Sequence, residues 1–220
     1  LFSKLCNSFP NAFVYLFKAD EHFWMGATPE PFARLKDNVF RTSSVAGTRE
    51  NTKEFQQFEN WQNKEIEEQQ FVSDHIRRTL EAANWTNISH LGPYVKKAGN
   101  MLHLRTDFTT NINDVNGNIG YLLESLHPTP AVCGYPSKEA LEIIESIEKH
   151  DREYYSGFLG PVGLGNAISL FVNLRCMRIS KSYLSLFTGA GITIDSIPED
   201  EWKETEMKSR TLLSVINTMT

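Results

Sequence analysis

The sequence predicts an α+β fold in which antiparallel β-sheets are faced by helices. Three observations carry this. Short apolar and aromatic runs come in pairs separated by turn residues, as hairpins do and βαβ units do not. Other stretches switch to the 3.6-residue spacing of amphipathic helices. No linker, internal repeat or low-complexity tract divides the chain, which therefore reads as one domain over residues 1–220. The opening "LFSKLCNSF" reads as the tail of a helix, so the chain is expected to be an N-terminally truncated piece of a longer protein. "AFVYLFKA" and "EHFWMGA" read as strands, and "FARLKDNVFRTSSVAGT" alternates like further hairpin strands, with Gly26, Pro29 and Gly47 as punctuation. From about Lys53 to Ala83 a charged amphipathic helix follows, with Phe71, Ile76 and Leu80 on one stripe. "YVKKAGNMLHLRTDFTTNI" reads as a hairpin, and "NIGYLLESL" and "SKEALEIIESIEKH" as helices. Between those helices lies "LHPTPAVCGYP", Leu126 to Pro136, whose three prolines predict a stiff loop that is neither helical nor ladder-forming. Stiff loops on a packed scaffold are common places for binding residues, and a connector that binds nothing looks the same. "SLFVNLRCMRI" and "SYLSLFTGAGI" read as a second hairpin, and a helix from about Pro198 to Ile216 closes the chain.

Composition removes several classes of function. With 40% hydrophobic residues, 14 Phe and 4 Trp the chain can bury a large core. It has no run of about 18 apolar residues and no basic-then-apolar leader, so a cytoplasmic protein without a membrane partner is expected. Cys6, Cys133 and Cys176 form no CxxC, which fits reduced thiols and argues against a zinc site. A formal charge of −5 with no basic stripe argues against a nucleic-acid partner.

Four local signals carry chemistry. Glu65 and Glu68 in "KEIEEQQ", and Glu201 and Glu204 in "EDEWKETEMK", are spaced so that each pair shares a helix face. Paired carboxylates repel unless a cation bridges them, and Mg²⁺ takes such hard oxygen ligands, although ordinary solvated helix faces show the same spacing. "FTGAGI" would let backbone N–H groups approach a ligand oxygen, or form a bulge or tight turn. Arg175, inside the apolar run "VNLRCM", stands either at solvent or against an anion in a pocket. His103 in "MLHLRT" reads as a core histidine or a pocket residue.

Together "GATPE", "AGT", "KEIEEQQFV", "MLHL", "LHPTPAVCGYP", "DREYYSGFLGPVG", "LRCMRI", "TGAGI" and "PEDEWKETEMK" occur in an order that resembles the chorismate-utilising enzymes, over nearly the whole chain. That family includes isochorismate, salicylate and anthranilate synthases and aminodeoxychorismate synthase component I. The resemblance implies antiparallel sheets packed as a sandwich with helices outside, a Mg²⁺ cofactor, chorismate as substrate and a monomeric full-length protein. It implies that Glu65, Glu68, Glu201 and Glu204 are the magnesium carboxylates, Glu68 and Glu204 being the inner pair. Arg175, Tyr155 and the backbone at Gly189 and Gly191 match the site for the enolpyruvyl carboxylate. Lys208 matches a lysine near the ring carboxylate, His103 a histidine near the ring, and Gly47 and Thr48 a stretch of pocket wall. Glu30, in "TPE", matches the general acid that protonates the departing C4 hydroxyl, a role that needs a carboxyl kept protonated by burial.

Two positions discriminate among members. Ala131 stands where salicylate and anthranilate synthases typically have threonine, and Ala46 where enzymes with a covalent lysine nucleophile carry "KGT". Both imply water as nucleophile and an isochorismate product, with a salicylate-forming enzyme or a non-catalytic chorismate-binding homologue as the alternatives. Supply of either menaquinone or a siderophore fits that chemistry. Pro31 and Glu67 depart from the arginines common in relatives at those places. The resemblance puts the general-base lysine on a strand upstream of "AFVYLFKA", outside these 220 residues, so the chain by itself is expected to be inactive.

Overall fold

The computed structural model describes residues 1–85, 87–98, 101–112, 119–165 and 167–218. By its internal contacts the chain, read from sequence as one domain, divides into two compact units, and it passes through each more than once. The first comprises Leu1–Glu30, His150–Gly160 and Phe171–Thr220, and the second Pro31–Lys149 and Pro161–Leu170.

In the first unit, α1 (Phe2–Ser8) leads into the hairpin of β1 (Phe13–Ala19) and β2 (His22–Thr28), in register from Phe13↔Thr28 to Ala19↔His22. β2 also pairs with β10 (Cys176–Ile179), which pairs with β11 (Leu184–Phe187), giving the antiparallel order β1-β2-β10-β11. The two-residue period sorts the side chains. Met25, Ala27 and Met177 join Leu5 of α1 and Leu212 and Val215 of α6 (Pro198–Ile216) in one buried cluster. Trp24, Cys176 and Phe187 join Tyr15, Tyr155 and Leu159 in another. Both faces of β2 are thus covered, which is why it reads as a continuous apolar run and not as an alternating strand.

In the second unit, β3 (Pro31–Lys36) and β4 (Val39–Glu50) are joined by Asp37 and Asn38 alone, with φ of +51° and +61°. These are the left-handed values a two-residue hairpin turn requires, and Asp and Asn tolerate them. β6 (Met101–Asn111) pairs with β4, and β5 (Ser89–Ala98) with β6; the hairpin turn expected at residues 99–100 lies outside the described residues. β8 (Val162–Leu164) pairs with β9 (Ala167–Val172). β7 (Phe158–Leu159) pairs with the last residues of β9 through Phe158↔Val172, within the first unit. α2 (Asn63–Ala82) packs on β4 and buries Val72, Ile76 and Leu80. Its buried Gln69 ties it to the sheet, Nε2 donating to Ser44 Oγ at 2.7 Å and Thr106 Oγ1 at 3.1 Å.

Antiparallel sheets with packed helices agree with the expectation, and four details do not. α2 begins at Asn63, ten residues later than the charged pattern suggested. The preceding stretch forms turns that bury Trp61, whose indole N–H donates to Phe55 O at 2.9 Å. Phe71 is 43% exposed and stacks on Tyr135 instead of joining the buried stripe. The proline loop contains one helical turn, α4 (Pro130–Cys133), because proline is tolerated at a first helical position. It lies between α3 (Ile119–Leu126), whose expected first residue 118 falls outside the described residues, and α5 (Ser137–Ile147). "SLFVNLRCMRI" is two strands, β9 ending at Val172 and β10 starting at Cys176, with Arg175 between them at φ +50°.

Candidate active site

The segment Val172–Arg175 organises the first unit's candidate residues. The Val172 N–H donates to Glu30 O at 3.0 Å, and Thr28 Oγ1 donates to Val172 O at 2.6 Å. Asn173 reaches the other way: its N–H donates to Gly157 O at 2.7 Å, its carbonyl accepts from Ser156 N–H at 3.0 Å, and its Nδ2 donates to Tyr154 O at 2.6 Å. The turn that carries Tyr155 is therefore tied to the same four residues that hold Glu30 and end in Arg175. Arg175 sits in the left-handed region, where a bulky side chain costs of the order of 1–3 kcal/mol and persists only if its surroundings fix it. Its carbonyl accepts from Ala27 N–H at 3.1 Å, which supplies such a restraint. Burial pulls the guanidinium pKa down, opposed by the charges of Glu30, Tyr155 and Glu204. An arginine stays charged throughout the working pH range, so this is a cation among acidic partners.

On α6, Glu201 is 7% exposed in the first turn, where the helix N-terminus favours a carboxylate. Glu204 Oε1 is paired with Lys208 Nζ at 2.5 Å, and the same ammonium donates to Gly189 O at 2.8 Å. Gly189 has no room for a side chain: a Cβ there would stand 2.9 Å from the Tyr155 hydroxyl. Gly191 is exposed.

The second unit builds its share differently. Gly47 is buried at φ +70° in a bulge between Ala46 and Thr48, and a Cβ there would meet Glu65 Cβ at 2.8 Å. His103 Nδ1 lies 3.1 Å from Gly47 O and 3.2 Å from Thr48 Oγ1. A carbonyl only accepts, so Nδ1 carries the proton. Glu65, 6% exposed, has both oxygens engaged: Oε1 with Arg49 Nη2 at 2.5 Å, and Oε2 accepting the Gln62 N–H at 3.2 Å as a helix cap. Glu68, one turn on, is half-buried, and Glu67 is exposed. Ala131 is exposed on α4, between the buried Pro130 and Cys133.

A family model described as chorismate binding enzyme matches residues 1–217. The chain belongs to this family. It is 30% identical over 198 residues to the vibriobactin-specific isochorismate synthase of Vibrio cholerae, covering 86% of this chain and 50% of that protein. It is 34% identical over 204 residues to isochorismate synthase MenF of Escherichia coli, covering 89% and 46%. The solved structure of that menaquinone-specific synthase superposes with a TM-score of 0.81 at 28% identity, over 97% of this chain and 52% of the other. The chain thus spans about half the length of the relatives it matches.

For a family member, the arrangement within each unit is informative. The first unit brings together Glu30, Tyr155, Arg175, Gly189, Glu204 and Lys208 through hydrogen bonds, an ion pair, close approach or charge interaction. The second joins Gly47, Thr48 and His103, with Glu65 beneath the bulge. Among the described residues no group of three or more His, Cys, Asp or Glu is gathered as a metal centre. Carboxylates are the donors a hard cation takes, but taken singly Glu65 would have to release Arg49 or its helix cap, and Glu204 would have to release Lys208, before it could ligate. Asn173, Thr28, Tyr15 and Arg49 are the residues that sequence reasoning missed. The signal for Asn173 was available, since it is an amide in the middle of the apolar run "FVNL".

Proposed function

We propose that this chain carries the chorismate-binding and acid-donating part of an isochorismate synthase, with reversible conversion of chorismate to isochorismate as the reaction. Water adds at C2, and the C4 hydroxyl leaves after taking a proton from Glu30. The observation that carries the reading is the Val172–Arg175 segment, which ties a carboxyl, a phenol and a guanidinium from three distant stretches of sequence to one backbone. Arg175 offers a planar fork suited to the enolpyruvyl carboxylate, with the Tyr155 hydroxyl beside it. Lys208 adds positive charge while holding Glu204 and the Gly189 carbonyl. His103, with Nδ1 committed to the Gly47–Thr48 bulge, has a fixed ring orientation suited to a wall beside the substrate ring. The small side chain of Ala131 supports release of isochorismate over further loss of pyruvate.

A Mg²⁺ cofactor belongs to this reading through the resemblance alone, which assigns it Glu65 and Glu68 on α2 and Glu201 and Glu204 on α6; when bound, the ion would supply charge neutralisation of the ring carboxylate. The base that activates water belongs, on this reading, to residues beyond these 220. A menaquinone-specific and a vibriobactin-specific synthase both occur among the relatives, and the shared chemistry suits either supply route. No helix among the described residues is long and apolar enough to cross a membrane, which suits a cytoplasmic enzyme acting on a small solute.

The test is product analysis. The full-length enzyme, given chorismate and excess Mg²⁺, should yield isochorismate without pyruvate. Stoichiometric pyruvate would make it a salicylate-forming enzyme, and binding of chorismate without turnover would make it a binding homologue.

A further inference from the structure

The Tyr155 hydroxyl and the Arg175 guanidinium come from different segments, so something must fix one relative to the other. The turn carrying Tyr155 is strained: Glu153 and Ser156, on either side of it, have φ of +48° and +64°. Such a turn relaxes unless hydrogen bonds over-determine it. Asn173 makes those bonds. Its backbone closes a reciprocal pair with Ser156 and Gly157, and its side chain is clamped at both ends, Nδ2 donating to Tyr154 O at 2.6 Å and Oδ1 accepting from the Tyr15 hydroxyl. Asn173 is 1% exposed and Tyr15 6%, so no water competes for these groups. Tyr15 is itself fixed, in a ring stack with Phe17 at 5.6 Å and against Gly26, where any Cβ would strike its ring at 2.8 Å. An amide suits this place because it presents a donor and an acceptor on two separate atoms of one planar group, in a span two residues from Arg175.

We propose that Asn173 is a positioning residue: its side-chain amide, held between the Tyr15 hydroxyl and the Tyr154 carbonyl, sets where the Tyr155 hydroxyl stands relative to the Arg175 guanidinium. The proposal rests on the reading of this cluster as the carboxylate pocket for chorismate. Asn173 acts through Tyr155 and touches no substrate. Breaking the clamp loosens the turn and lets the two carboxylate-binding groups drift apart, while the strands on either side keep their ladder.

The experiment uses amide hydrogen exchange and chorismate calorimetry on the full-length enzyme. Asn173→Ala should speed exchange of the Ser156 and Gly157 amides at least tenfold, leave amides of the first hairpin unchanged, and weaken chorismate binding about fivefold, the worth of roughly one hydrogen bond. In a Tyr155→Phe background the same substitution should cost less than about twofold, because the group it positions is already gone. Tyr15→Phe releases only one end of the clamp and should act in the same direction to a smaller extent, which decides the matter if Asn173→Ala fails to fold. Unchanged exchange in the turn, or equal affinity losses with and without the Tyr155 hydroxyl, overturns the proposal. Wild-type protein that binds no chorismate overturns the substrate reading instead, and exchange in the turn then decides the role of Asn173.

Discussion

The two units hold their candidate residues by different physical means. In the first, Glu30, Tyr155 and Arg175 hang on backbone hydrogen bonds to a single segment, Val172–Arg175. In the second, Gly47, Thr48 and His103 hang on a glycine bulge laid against Glu65, and Glu65 is held in turn by Arg49 and a helix cap. The first arrangement tolerates changes in side chains that do not bond the segment. The second tolerates almost no change of shape, because a Cβ at Gly47 and the stem of Glu65 would claim the same space. Substitutions in the first unit's cluster should therefore show up as lost affinity or rate, and those at the Gly47–Glu65 bulge of the second as lost stability.

The largest effects test whether carboxylates that look alike in sequence divide the same way. If Glu204 and Glu68 hold Mg²⁺ as proposed, replacing either by Gln in the full-length enzyme should lower kcat/KM by at least about a hundredfold, because Lewis-acid charge stabilisation is worth several kcal/mol in the transition state. Glu65→Gln should behave differently. It strands the Arg49 guanidinium and costs about 1–3 kcal/mol of stability, measured by urea denaturation, with a smaller loss of turnover. Equal kinetic losses at all three positions would erase the distinction between a ligand and a support.

Arg175→Lys comes next. Lysine supplies the charge without the planar fork, so kcat/KM should fall at least roughly tenfold, about 1.4 kcal/mol, with the melting temperature little changed. A normal kcat/KM would place the carboxylate elsewhere.

What could be read from sequence follows the same division. The first unit's strands were legible because β1 and β2 are long apolar runs, and Arg175 was noticed because a charge interrupts such a run. The break at Arg175 was not legible, since nothing in "VNLRCM" announces a left-handed arginine: the conformation is imposed by Ala27, Glu30 and Gly157, residues far away in sequence. In the second unit the spacing of Glu65 and Glu68 correctly put both on one helix. It could not say that the Glu65 side chain caps the helix start by accepting the Gln62 N–H, because the pattern puts the start of α2 ten residues too early, across a charged stretch that in fact wraps Trp61. The stiff loop from Leu126 was recognised by its prolines, and the helical turn within it was missed for the same reason.

Gly47→Ala tests the bulge. The new Cβ meets Glu65 and the residue must hold φ +70°, so the protein should lose about 1–3 kcal/mol, read as a lower melting temperature, with His103 displaced along with its Gly47 partner. Gly189→Ala, in the first unit, would press on the Tyr155 hydroxyl, the end of a side chain and not a helix stem, and should weaken chorismate binding more than it lowers stability.

The smallest effect concerns pH. Two buried groups of the first unit are held out of the working range: burial raises the Tyr15 hydroxyl well above its ordinary value and pushes the Cys176 thiol up to about 12. The second unit contains His75, on α2, whose pKa is lowered from 6.5 by burial, with a hydrogen bond to the Leu126 backbone opposing in part. The folded state thus resists a proton that the unfolded chain accepts near pH 6.5. The stabilisation is complete above that value and is lost as the pH falls toward the lower folded pKa. A single group changes stability by at most about 1.4 kcal/mol per pH unit, and only within that window. Stability measured by urea denaturation at pH 7.5, 6.5 and 5.5 should therefore fall more steeply for the wild type than for His75→Gln, which cannot titrate. The two curves should run parallel above pH 7. Parallel curves down to pH 5.5 would mean that His75 takes up its proton as readily in the folded protein as in the unfolded chain, and that its burial on α2 carries no pH-dependent stabilisation.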